Sequence, residues 1–142
     1  QLRSLEAVAF AYPIAGSFDV IAGIHNSTTL QGIGEIVEGR IGIIDGVRNT
    51  VTHMIQNPGI HSGFNASAFV MLDVDITQGC VTEVVEKLRD SDSVLFAYAF
   101  PGNCNAIAAI KAGKSLGQIG NIVTREFHIL PGLVSTNTCL VL

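Results

Sequence analysis

The chain has 142 residues, 48% of them hydrophobic and only 14% charged, with a net charge of −4. That length suits one domain or two very small ones, and a charged fraction so far below the roughly 25% of an ordinary soluble domain means that both faces of any sheet are covered or that a large patch is buried against other subunits. The eight Lys and Arg residues are scattered without a basic stripe, which argues against direct nucleic-acid binding by this chain alone. No apolar run reaches about 18 residues, so no helical membrane span is expected, and no basic stretch leads into an apolar one as in a secretory leader.

The predicted elements come in two series. Sliding the chain by 86 positions lays residues 1–56 on residues 87–142 without a gap. Phe10, Ala11, Tyr12 and Gly16 meet Phe96, Ala97, Tyr98 and Gly102, and Gly46, Thr50 and Thr52 meet Gly132, Thr136 and Thr138. A gapless register over such a length marks a duplicated unit. The first copy enters late. Residues 1–6 correspond to the last turn of a helix, 8–24 to a strand–turn–strand, 29–44 to a helix, and the stretch around Thr50–Ile55 to a closing strand. Its opening strand and most of its first helix have no counterpart, and the spacing in the second copy leads us to expect roughly 20–25 residues ahead of Gln1 in the natural chain. Gly32, Gly34, Gly39 and Gly42 weaken the first-copy helix, each by about 0.5–1 kcal/mol relative to Ala, so tertiary packing must hold it or the glycines admit a close backbone approach. "NPGIHSGFN" at 57–65 is a linker rich in turn formers.

The second copy, 66–142, is complete. "ASAFVMLDVDI" (66–76) alternates as a strand. Thr77 is placed to cap a helix in which Val81, Val84, Val85 and Leu88 recur on one face, opposite a charged face of Glu83, Glu86, Lys87 and Arg89. Strand 93–100, turn 101–104 and return strand 105–112 follow. Ser115 caps a second helix with apolar positions at Leu116, Ile119, Ile122, Val123, Phe127 and Leu130, Pro131-Gly132 stops it, and "LVSTNTCLVL" is the last strand. The order β-α-β-β-α-β is the ferredoxin-like split unit, so the fold class is α+β.

These motifs resemble the effector-binding domain of the Lrp/AsnC regulators, the module named for regulation of amino-acid metabolism (RAM domain). The matching features are the strand with Ala97-Tyr98, the turn over Gly102–Asn105, and Leu130-Pro131-Gly132 before Thr136-Asn137-Thr138, with "AGSFD" (15–19) and Thr50-Val51-Thr52 in the first copy. The resemblance implies that two ferredoxin-like units pair as a dimeric α+β barrel-like body, here within one polypeptide, and that an amino-acid effector binds near the turns. The family's helix-turn-helix has no match here, and Asn105 stands where the turn motif expects Asp. The ligand-binding candidates are Gly16, Ser17, Phe18, Asp19, Thr50, Thr52, Gly102, Asn103, Asn105, Thr136 and Thr138. A turn carboxylate at Asp19 would pair with a ligand ammonium, while Gly N–H groups or Thr hydroxyls would take its carboxylate; the bland alternatives are an Asp bonded to its own turn and threonines chosen for β-propensity.

Tyr12 and Tyr98 occupy equivalent positions and are expected in the pairing interface. The four histidines (25, 53, 61, 128) lack metal-ligand spacing, and Cys80, Cys104 and Cys139 read as small buried hydrophobes of a reducing cytosol. The expected protein is cytoplasmic and non-enzymatic, without cofactor or metal. It is a homo-oligomeric amino-acid-binding module that could join a DNA-binding Lrp/AsnC relative in transcription regulation. The alternatives are a small monooxygenase-like enzyme of the dimeric α+β barrel class, which would need a polar or His-lined interior cavity, and a purely structural assembly module.

Overall fold

The computed structural model describes residues 2–16, 18–24, 29–53, 66–75, 81–99 and 106–142. Six strands form one antiparallel sheet: β1 (Val8–Ala15), β2 (Val20–Ile24), β3 (Ala66–Val74), β4 (Val94–Ala99), β5 (Ala106–Lys111) and β6 (Leu133–Val141), in the spatial order β2-β1-β6-β3-β5-β4. The helices are α1 (Leu30–Ile36), α2 (Val81–Arg89) and α3 (Leu116–Ile122). Within residues 66–142 the order β6-β3-β5-β4 is fourth-first-third-second, with a helix after the first strand and another after the third. This is the ferredoxin-like arrangement expected from the element order.

The duplication is written into the backbone as well as the letters. Every Cα pair of the β1–β2 hairpin becomes a pair of the β4–β5 hairpin on adding 86: Ala11↔Ala22 becomes Ala97↔Ala108, Tyr12↔Ile21 becomes Tyr98↔Ile107. Even the register slip recurs, between Val8 and Phe10 and between Val94 and Phe96. Thr29 Oγ1 accepts from Gly32 N at 3.0 Å to cap α1, and Ser115 Oγ accepts from Gln118 N at 3.2 Å to cap α3, where the Gln118 side chain closes a capping box on the Ser115 N–H. Both helices then widen into a π turn, Val37–Ile41 and Val123–Phe127, closed by Gly42 N to Val37 O at 2.7 Å and His128 N to Val123 O at 3.0 Å. Helical periodicity does not distinguish such a turn from plain α-helix, and the sequence reading missed both. Gly46 (φ 94°) and Gly132 (φ 83°) end the two stretches in the left-handed region, where an L side chain is strained.

The sheet is apolar on both faces, which is where the low charge content goes. Residues 68, 70, 72 and 74 of β3 meet the helices, joining Val84, Val85 and Leu88 of α2 and Ile119, Val123 and Phe127 of the α3 stretch. Phe69 points the other way, into an aromatic cluster with Phe10, Tyr12, Phe96 and Tyr98. Phe10 and Tyr12 come from the first copy and the other three from the second. Phe10 lies 5.8 Å from Phe69 and 6.0 Å from Phe96, Tyr12 lies 5.8 Å from Phe69, and Phe96 lies 5.4 Å from Tyr98. These are separations at which ring quadrupoles attract in tilted or offset geometry. Gly23 makes room for this: a Cβ there would stand 2.4 Å from the Phe10 ring. Tyr12 and Tyr98 both lie in this cluster, and Cys139 is buried in it as a small hydrophobe, while Cys80 and Cys104 lie outside the described residues.

Residues 48–53 form no strand, and the glycine-rich helix is only lightly held: Ile36 is the one buried residue of α1. A closing strand needs a ladder partner, and residues 48–52 enter no strand pair among the described residues. A Cβ added at Gly42 would stand 3.1 Å from the Glu38 and Val37 carbonyl oxygens, whereas one at Gly34 or Gly39 meets nothing within 4 Å, so close backbone approach fits Gly42 but not Gly34 or Gly39. Gly34→Ala is therefore expected to raise stability by about 0.5–1 kcal/mol through helix propensity and a less flexible unfolded chain, measured by urea denaturation; a loss would show that the helix packs there. The cap at Thr77, the linker 57–65 and the turn 101–104 lie outside the described residues.

Candidate functional site

The β1–β2 turn is built from backbone. Ile14 N donates to Asp19 O at 2.8 Å, closing the loop from Gly16 to Asp19 and leaving Phe18 (47% exposed) and the Asp19 carboxylate at the surface. Its position comes from the other copy. Ile14 pairs with Val141 and Ala15 with Leu140, Leu142 N donates to Pro13 O at 3.0 Å, and a Cβ at Gly16 would stand 2.9 Å from Cys139 Sγ. The first copy's turn is thus carried on the second copy's last strand.

Thr136 and Thr138 lie two apart on β6 and share its other face, as strand alternation dictates. Leu140, in the same series, packs in the helix-side core, whereas Cys139 packs in the aromatic one. Thr136 Oγ1 lies 3.1 Å from Nε2 of His128, the residue that ends the second π turn. These two residues, with Leu133, Val134 and Ser135, line an open depression of about 410 Å³. The structure therefore brings the Gly16–Asp19 turn to β6 but keeps the Thr136 hydroxyl on the helix side of it, away from the face that Gly16 abuts. Thr50 and Thr52 are exposed in an irregular stretch. Ser17, Gly102, Asn103 and Asn105 lie outside the described residues.

His53 and His128 are exposed, and His25 and His61 lie outside the described residues. Among the described residues no group of three or more His, Cys, Asp or Glu is disposed to hold a metal ion, and no helix is long and apolar enough to cross a membrane.

Two arginines have specific partners that the reading of Arg89 as part of a charged helix face did not include. Arg89 Nε donates to Ala97 O at 2.8 Å and its guanidinium lies 5.3 Å from the Tyr98 ring centre; Arg3 Nε donates to Ala11 O at 2.8 Å and lies 5.5 Å from the Tyr12 ring. Each arginine pins the stretch before a hairpin to that hairpin's first strand and covers the outer tyrosine by a cation–π contact. The repeat carried the signal, since Arg3 falls on Arg89, but a charged residue on a helix face gives no sign of its acceptor.

No family model matches the chain, and no curated protein matches it. Among solved structures it is similar to AsnC of E. coli, at 18% identity and a TM-score of 0.46, over 79% of this chain and 68% of that one.

Proposed function

We propose that this chain is a non-enzymatic module for binding a small molecule and for assembly, of the kind found in the Lrp/AsnC regulators. Its two copies form a barrel-like pair inside one polypeptide, the ligand is an amino acid, and the chain does not bind DNA by itself but joins a DNA-binding relative or further copies of itself in the cytoplasm. The observation that carries this reading is the filled interior between the copies. A barrel enzyme needs a cavity where substrate meets polar side chains; here Phe69, Phe96 and Tyr98 are buried there against Phe10 and Tyr12. That leaves the rim, and the exposed turn at Gly16–Asp19 is the rim element held across both copies. Asp19 offers a carboxylate for an ammonium group, and the loop offers backbone donors for a carboxylate.

The test is a thermal-shift screen against the twenty amino acids, with native mass measured on the same samples. A ligand at 100 times its Kd adds about 2.7 kcal/mol to stability, several degrees in Tm. One amino acid is expected to give that shift, and Asp19→Ala to remove it while leaving the unliganded stability within about 0.5 kcal/mol of the parent, as for an exposed surface substitution. A flat response to all twenty, from a chain that assembles normally, would reduce the role to assembly alone.

A further inference from the structure

Each copy carries an apolar pair on the outside of its helical stretch. Leu30 opens α1 and Ile43 follows the π turn that ends it; Leu116 and Ile129 stand at the same two places in the second copy. Leu30 is 73% exposed, Ile43 74%, Leu116 70% and Ile129 74%, and none of the four belongs to either core. A single exposed Leu is ordinary on a protein surface. Here most of the neighbouring exposed positions differ between the copies: Gln31 stands against Gly117, Glu35 against Asn121, Glu38 against Thr124 and Gly39 against Arg125. The apolar pair is the same in both. Packing within the chain gives no reason to keep it twice, and a contact made by each copy does.

Where the copies differ, they differ in charge. Over 28–45 three acids, Glu35, Glu38 and Asp45, stand with one base, Arg40, a net −2; over 114–131 two bases, Lys114 and Arg125, stand with one acid, Glu126, a net +1. Glu126 is engaged within the chain, where its Oε1 accepts from Ser91 Oγ at 2.8 Å, while Arg125 is exposed. We infer that the outer surface of the α1 stretch binds the outer surface of the α3 stretch of a second copy of this chain, the two running antiparallel. Laid so, Leu30 meets the second copy's Ile129 and Ile43 meets its Leu116, while Asp45 meets its Lys114 and Glu35 comes beside its Arg125. The apolar ends supply buried area and the charges choose the partner. Placing α1 on α1 would set acid against acid, which selects against that pairing. Each chain offers one surface of each kind, so the contact is heterologous and passes from copy to copy. This rests on the assembly half of the proposed function and not on the amino-acid reading of the Gly16–Asp19 turn.

The experiment makes two charge-reversed variants of the full chain. Glu35→Lys with Asp45→Lys turns the first surface basic, and Lys114→Glu with Arg125→Glu turns the second acidic. None of these side chains is buried, so each variant should keep the parent's circular-dichroism spectrum. Native mass at matched concentration is expected to give multiples of the 15.0 kDa chain for the parent and 15.0 kDa for each variant alone. Mixed in equal amounts the two variants should assemble again, because the reversed α1 surface of one matches the reversed α3 surface of the other, and added salt should weaken that rescue. A variant that assembles as the parent does overturns this interface and leaves assembly itself standing. A mixture that stays at 15.0 kDa also overturns it. A monomeric parent overturns the inference together with the assembly half of the proposed function. Should a reversed variant lose its fold, Leu30→Ser with Ile43→Ser in the native charge background decides the matter: loss of assembly supports the interface, and unchanged assembly contradicts it.

Discussion

Phe69→Ala is expected to cost about 3–5 kcal/mol, a large share of the 5–15 kcal/mol that holds a typical domain together. Phe69 is fully buried on the central strand β3 and meets Phe10 and Tyr12 of the first copy and Phe96 of its own, at 5.8–6.1 Å. Truncation removes the transfer free energy of a ring and leaves a cavity that a sheet, fixed by its ladders to β5 and β6, cannot collapse to fill. The loss should fall on both copies, because the ring is where they meet. Chemical denaturation measures the total, and tyrosine fluorescence should report Tyr12 and Tyr98 becoming exposed in the same transition. Phe69→Leu, which keeps most of the apolar volume, should cost clearly less. A Phe69→Ala variant within 1 kcal/mol of the parent would mean that the rings do not pack as described.

The second large effect is an asymmetry. Phe127→Ala should cost about 3–5 kcal/mol, while Ile41→Ala, its counterpart at an offset of 86, should cost under about 1 kcal/mol. Both residues close a π turn on equivalent helices. Phe127 sits in the core between α2, α3 and the sheet, whereas Ile41 is half-exposed. Sequence symmetry alone predicts similar costs; the asymmetry comes from what lies beneath each helix.

Most of the fold was legible because the sequence states it twice. The apolar spacing of Val84, Val85 and Leu88, the cap at Ser115 and the Pro131-Gly132 stop are local signals that tertiary packing did not override. The alternation in 66–76 placed β3, though the strand ends at Val74, two residues before the expected end. The misses are non-local. Thr50 reads as strand by analogy with Thr136, but a strand depends on its neighbour, and the letters at 50–53 do not record what they lie beside. Arg89 reads only as part of a charged helix face because its acceptor, the Ala97 carbonyl, is set by the path of the backbone. The candidate site was legible as a list of residues and not as a place: the register of β1 on β6 brings Gly16 to Cys139, while strand alternation puts the Thr136 hydroxyl on the opposite face.

That same junction gives the functional reading its shape. Aromatic rings of both copies pack together beside it, and in the proposed function a zwitterion held at a turn borne by two copies would tie them together. The pairing is therefore the point on which everything else rests. Its most direct measurement is the set of nuclear Overhauser cross-peaks between the ring protons of Phe10 and Phe69 in a sample of monomeric mass. The 5.8 Å centroid separation predicts direct cross-peaks between the two rings, with Tyr12 giving its own to Phe69. Phe10 and Tyr12 showing contacts only to their own hairpin, while Phe69 contacts only Phe96, would contradict the intrachain pair and the functional reading built on it.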